Sequence, residues 1–302
     1  MKRFLPVMLG VILAAALVLI SQRETERRLA PIWAISSFDG VRFVAGAREP
    51  PSPPVSMPLP TLMPPAPRGF TPAPPGERPY VPILMYHYVR SVDRAADPLG
   101  FSLSVTPEHL DAQLGWLTAA GYESVRMDAL AACMRGEGPC PLRAVALTFD
   151  DGYADAFTTA LPILQRHGFV ATFYIVSGFV GQPGYMGWEE IRALRDAGME
   201  IGAHSISHPD LTGLGLEELR AQVGQSGALI AAEIGQPVVS FCYPGGRFSD
   251  TVVAVTREAG YTSATTTIQD GPQSDPFTLP RLRISGDLTL EGFQWMVAAY
   301  LP

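Results

Sequence analysis

The chain has 302 residues, 47% of them hydrophobic, enough to build one large domain or two small ones around a sizeable core. Its net charge of -7, with no stripe of clustered Lys and Arg, excludes a surface built to neutralise phosphates, so no nucleic-acid partner is expected. At the start, Lys2 and Arg3 lead into an almost unbroken apolar run from Phe4 to Ile20, followed by the charged stretch SQRETERR. Residues 1–28 therefore read as a signal-anchor or a signal peptide. The lack of a small-x-small cleavage signal after the run favours an uncleaved membrane anchor. Arg23, Arg27 and Arg28 after the run offset Lys2 and Arg3 before it, so charge bias leaves the orientation open. Residues 29–79 read as a Pro-rich, largely disordered linker: fourteen of the 29 prolines fall between Pro50 and Pro82, and such a stretch cannot sustain helix or ladder hydrogen bonds.

Residues 80–302 form the expected catalytic domain. Short β-rich runs alternate with helical stretches: VPILMYH, a helix over 107–120, ESVRM, AVALTF, a helix over 154–167, ATFYIV and a helix over 188–196. MEIGAH, a long helix over 216–234, VVSFCYP, a helix over 250–259, TSATTT, LPRLRI and a last helix over 290–299 complete the series. This alternation predicts an α/β fold, a distorted (β/α) barrel of about seven or eight strands, although periodicity alone does not separate it from an open sheet. Cys133 and Cys140 bracket MRGEGP, read as a loop that lets them meet; a disulfide and two free thiols are both open from the spacing. Cys242 reads as an ordinary buried strand residue.

In such a barrel chemistry gathers where strands end. His87 ends ILMYH, Asp150 and Asp151 end AVALTF, His204 ends MEIGA and Tyr243 ends VVSFC. One buried carboxylate is costly unless compensated, and a second beside it adds repulsion unless a cation absorbs it. HSISH sets His204 and His208 four apart, and two imidazoles with one carboxylate make a three-ligand site that leaves positions for water and substrate. Either motif alone is weak, since His-x-x-x-His occurs by chance on helices and Asp-Asp-Gly also makes turns and caps. Both at strand ends point to a catalytic cation.

TFDDGY, HSISH, FCYPGG and the approach PILMYH resemble the polysaccharide deacetylases, carbohydrate esterase family 4, in the branch that acts on poly-N-acetylglucosamine and related exported glycans. The resemblance runs from Tyr80 to Ile284, and GWEEIRAL and LPRLRI also have counterparts. It implies that Asp151, His204 and His208 hold a divalent metal, Zn2+ before others, while Asp150 stays free as general base. It further implies an oxyanion donor in the backbone N–H of Tyr243 and a substrate pocket bounded by Tyr243 and Trp188, though a tryptophan there also serves as a helix anchor. Most members draw their acid from a Leu-x-His motif near the C-terminus; here no histidine follows His208, and the permuted order of the resembled branch points to His87. A structural hydrogen bond in the barrel mouth is the plain alternative for His87. For the arginine that orients the base, Arg247 lies close in sequence, but Arg281 in LPRLRI is favoured.

The implied activity is metal-dependent removal of N-acetyl groups from an N-acetylglucosamine-containing polysaccharide such as exopolysaccharide, peptidoglycan or a chitin-like glycan. Its rivals are an O-acetyl esterase on a polymer such as xylan and a catalytically inactive carbohydrate-binding barrel; the intact Asp150, Asp151, His204 and His208 set argues against the last. The substrate lies outside the cytoplasm, so the expected location is the cell envelope: anchored in the inner membrane with the domain outside, or periplasmic or secreted if the segment is cleaved.

Overall fold

The computed structural model describes residues 80–269 and 271–300. The expected targeting segment and the linker up to residue 79 lie outside the described residues. Among those described, no helix is long and apolar enough to cross a membrane.

The strands are β1 (Ile83–Tyr86), β2 (Tyr88–Val89), β3 (Ser104–Val105), β4 (Glu123–Val125), β5 (Ala144–Phe149), β6 (Thr172–Ile175), β7 (Glu200–Ala203), β8 (Ser240–Cys242), β9 (Ser263–Thr265) and β10 (Leu282–Arg283). Eight of them make one parallel sheet in the order β10-β1-β5-β6-β7-β8-β9, with β4 beside the first half of β5. The sheet curls until its ends approach. Leu279 donates to Ala264 O of β9 (3.1 Å) and, five residues on, Ile284 donates to Met85 O of β1 (3.1 Å). The expected α/β architecture, a parallel sheet curled as in a distorted barrel, is therefore present.

Alternation within the strands produces two apolar layers. Leu84, Tyr86, Leu147, Phe149, Phe173, Ile175, Ile201 and Phe241 pack outward under the helices, whereas Ile83, Ala146, Tyr174, Cys242 and Leu279 fill the barrel interior. On the outer face Tyr86, Phe149 and Phe173, in register on adjacent strands, stack with centroids 5.0 and 4.9 Å apart. Inside, the Tyr174 ring lies over Gly202, where an added Cβ would come within 2.6 Å of it; only glycine leaves that space.

The helices follow from local chemistry. Thr106 accepts from His109 N (3.2 Å) and Pro107 opens the first turn of Pro107–Ala119. Two expected single helices are interrupted by wide π turns, at Ala156–Ala160 and Ala221–Gln225. In the first, Pro162 follows the turn; it has no N–H to give residue 158, and the wider turn accommodates its ring.

One element differs from the expectation. Met127–Arg135 is a helix, capped by Gly136 in the left-handed conformation (φ 73°), so Cys133 stands on its last turn and not in a loop. From there it forms a disulfide with Cys140, the Cα atoms 5.1 Å apart. For so short a closed loop, chain entropy gives a stabilisation of about 2 kcal/mol. Replacing both cysteines with serine should lower unfolding free energy in urea by that amount and leave turnover unchanged, because Met127 and Leu130 of that helix pack with Val81, Ile83 and Ala144, at the starts of strands whose far ends carry the site described below.

Candidate active site

Period-two alternation explains why two adjacent aspartates do different things. Ala146, Thr148 and Asp150 continue the inward face of β5, which leaves Asp150 3% exposed in the barrel mouth. Asp151 then turns into the left-handed region (φ 71°) and swings its carboxylate to the rim. Among the described residues the other non-glycine positions with positive φ are Ser205 and His208. All three fall in the two motifs, and backbone strain of ~1–3 kcal/mol at each is tolerated where a site requires the geometry.

Asp150 is held by Arg281, which is buried with its charge. Arg281 Nη1 donates to Asp150 Oδ1 at 2.7 Å and Nη2 to Oδ2 at 2.8 Å, a bidentate pair. The remaining donors are used too: Nε reaches Thr266 O (2.8 Å), Nη1 also Thr148 Oγ1 (3.1 Å) and Nη2 Cys242 Sγ (3.2 Å). Burial pushes the Asp150 carboxyl up, but the Arg281 charge and hydrogen bonds, helped by His87 and His204, outweigh it and hold the carboxyl well below the usual carboxylate range. Asp150 is therefore ionised at any working pH. Arg247, the alternative in the sequence, pairs instead with Asp210 on the surface at 2.7 Å.

Asp151, His204 and His208 converge. Asp151 Oδ1 lies 3.3 Å from His204 Nε2 and 3.6 Å from His208 Nε2, and the two rings are 4.8 Å apart, edge to face. His204 Nδ1 donates to the Cys242 carbonyl at 2.7 Å, which fixes the ring with Nε2 facing Asp151, the nitrogen that would be left to bind an ion. His208 is positioned through its backbone N–H, which donates to Ser205 Oγ (2.9 Å). Two imidazole nitrogens and a carboxylate oxygen, all within 4.8 Å of one another, are a donor set for a divalent ion with open positions. The local field suits a cation. Burial opposes a proton on His204, yet Cys242, Asp151 and Asp150 together raise its pKa well above the ordinary value.

His87 continues the inward face of β1 and places Nε2 3.8 Å from Asp150 Oδ2. Burial lowers its pKa more than the two aspartates raise it, so the ring is neutral near pH 7. Its Nδ1 is buried and has no hydrogen-bond partner among the described residues.

Tyr243 requires a correction. Alternation puts it on the outer face with Phe241, fully buried in the helix-side core. Its N–H extends the ladder to Thr265 O (3.1 Å) and its hydroxyl donates to Phe277 O (3.1 Å), so neither donor is available to an oxyanion or a sugar. Trp188 packs half-buried against the same core at the first turn of its helix, an anchoring contact. Sequence reasoning missed Cys242, whose carbonyl orients His204 and whose sulfur touches both Arg281 and, at 3.6 Å, Asp150. The signal was its place at the inward end of β8, level with the other strand ends.

The polysaccharide deacetylase family matches this chain over residues 137–264, which contain Asp150, Asp151, His204 and His208. The chain is 26% identical over 215 residues to the putative polysaccharide deacetylase YxkH of Bacillus subtilis, covering 70% of this chain and 74% of that protein. It is 31% identical over 129 residues to the poly-beta-1,6-N-acetyl-D-glucosamine N-deacetylase of Escherichia coli, covering 37% of this chain but 19% of that longer protein. The fold is shared with the Streptococcus pyogenes deacetylase PplD, solved in complex with acetate, at TM-score 0.68 and 23% identity over 73% of this chain and 99% of that one.

Proposed function

Since the chain belongs to the polysaccharide deacetylase family and is an enzyme of that family, we propose that it removes N-acetyl groups from an N-acetylglucosamine-containing polysaccharide in a metal-dependent hydrolysis. The observation that carries this reading is the division of labour between neighbours: Asp151 faces His204 and His208, while Asp150 is held apart from them by Arg281. Asp151, His204 and His208 would hold a divalent ion, with Zn2+ suited to two imidazoles and a carboxylate; when bound, such an ion polarises water or an acyl oxygen.

The chain's own residues supply the proton movements. Asp150, ionised and fixed in orientation, accepts a proton from the water that attacks the acetamide carbon. A C–O bond forms, the C–N bond breaks, and the departing nitrogen must gain a proton. His87, within 3.8 Å of Asp150, is the group placed to receive that proton and deliver it to the amine; its neutral resting state leaves it free to do so. Acetate and a free amine are the products.

Acetate release from N-acetylglucosamine oligomers tests the proposal. Chelation should abolish it, and one equivalent of Zn2+ should restore it. His87→Ala should lower amide turnover by about 10²–10⁴ with metal content unchanged. An alcohol leaves with less acid assistance than an amine, so activity on O-acetylated xylan that survives His87→Ala, with none on the amide in the parent protein, identifies an esterase instead.

We place the enzyme in the cell envelope, tethered by residues 1–28 through the Pro-rich segment up to residue 79, or released if that segment is cleaved. The Cys133–Cys140 disulfide supports an oxidising compartment.

A further inference from the structure

The last helix, Leu290–Ala298, keeps one face in the core and leaves the other bare. Phe293 and Val297 are buried, and Phe293 meets the Trp116 ring edge to face with centroids 5.9 Å apart. Glu291, Trp295, Ala298 and Ala299, spaced i, i+4, i+7 and i+8, line the opposite face and are exposed. Trp295 is 78% exposed, more than any other large apolar side chain among the described residues. A lone apolar residue on a surface is ordinary, but this one stands close to where the chain enters the domain.

Tyr80, where the described residues begin, stacks on Tyr300 just past the end of this helix, with ring centroids 4.5 Å apart and planes 15° from parallel. Trp295 precedes Tyr300 by five residues, about 8 Å along a helix axis. Residues 58–79 carry nine prolines in 22 positions, a composition that favours the polyproline helix. Such helices dock on exposed aromatic rings because their shape is preformed and little entropy is lost on binding. Pro72, Pro74 and Pro75 lie five to eight residues before Tyr80, about 15–25 Å at the polyproline rise, enough to round a helix about 10–12 Å wide. Charge agrees with the fit. The segment holds Arg68 and Arg78 against the single acid Glu77, and the helix carries Glu291 and no basic residue.

We infer that residues 58–79 of this chain dock along the outer face of the last helix, with the rings of Pro72, Pro74 and Pro75 against Trp295. The segment is then a strap on the domain and not only a spacer, whatever glycan the domain acts on. Linkage supplies an effective concentration in the millimolar range, so a contact too weak to hold a separate peptide closes here. A second copy of the chain is a poorer occupant, since one indole and two alanines offer a fraction of the roughly 800 Å² per partner that stable pairs bury. A membrane surface is poorer too, because interfacial helices carry Lys or Arg on their polar face and this helix has neither.

Fluorine NMR of the full chain in detergent micelles, with fluorotryptophan at its four tryptophans, tests the strap. Trp295→Phe removes one resonance and so assigns it; the side chain is exposed, which leaves the core intact. Pro72→Ser, Pro74→Ser and Pro75→Ser together should move the Trp295 resonance and raise its isotope shift between light and heavy water about twofold, as a ring face covered by proline returns to solvent. The Trp116 and Trp188 resonances should stay where they are. Equal isotope shifts in the parent and the triple variant overturn the proposal. So does a Trp295 signal that ignores the prolines but changes with protein concentration, or between micelles and lipid vesicles, because the occupant is then a second copy or the membrane. Should the triple variant disturb Trp116 and Trp188 as well, Overhauser contacts between Trp295 and proline ring protons in the parent decide, and their absence overturns the strap equally.

Discussion

Asp150→Asn should lower acetate release by a factor of about 10²–10⁴, the usual contribution of a positioned general base, while the protein keeps its full metal content. The carboxamide preserves the shape of the side chain but cannot take a proton from attacking water. Metal content is preserved because the converging donors are Asp151, His204 and His208, and Asp150 is engaged on both oxygens by Arg281. Asp151→Asn is the matched control. Its Oδ1 is the atom that both imidazoles face, so losing its charge should remove the ion and the activity together. Elemental analysis beside the acetate assay separates the two outcomes one residue apart in sequence. An Asp150→Asn protein that keeps more than about a tenth of the parent rate would falsify its assignment as the base.

Arg281→Met should destabilise the folded protein by about 3–5 kcal/mol at neutral pH, because it leaves a buried carboxylate without its partner. The pH dependence gives the sharper test. In the parent, the Asp150 pKa when folded lies below its unfolded value of about 3.9, so its contribution to stability is fully present above that value and is lost as pH falls towards the folded pKa. Without the guanidinium, burial dominates and the folded pKa rises above the unfolded value. The sign then inverts: the variant is best placed below about pH 4 and loses stability as pH rises through its folded pKa. Urea unfolding in chelator should therefore show two profiles that approach each other in acid and separate towards neutrality. Profiles that stay parallel would mean that the pair does not govern the ionisation of Asp150.

Particular residues show how much was legible beforehand. The strand runs, most helices and the two metal motifs could be read because each depends on local pattern: apolar alternation, caps such as Thr106 and Pro107, and short fixed spacings. Met127–Arg135 is harder to read: Gly136 marks its end, but no side chain caps its start. Tyr243 escapes local pattern for a different reason. Its motif neighbours a site, but strand alternation decides which face it takes, and one residue of register separates the barrel mouth from the helix-side core. Arg281 was favoured over Arg247, and the geometry supports that choice through a bidentate pair joining residues 131 positions apart.

By itself, then, the sequence determined the strand-and-helix alternation and the carboxylate and imidazole types available, since composition and short-range periodicity are properties of neighbouring residues. Tertiary structure alone decided which aspartate turns to the histidines, which arginine neutralises the other, and that the Cys242 carbonyl sets the His204 proton. Those outcomes depend on how a parallel sheet curls and on which face each side chain takes, so they arise only when strands distant in the chain lie side by side.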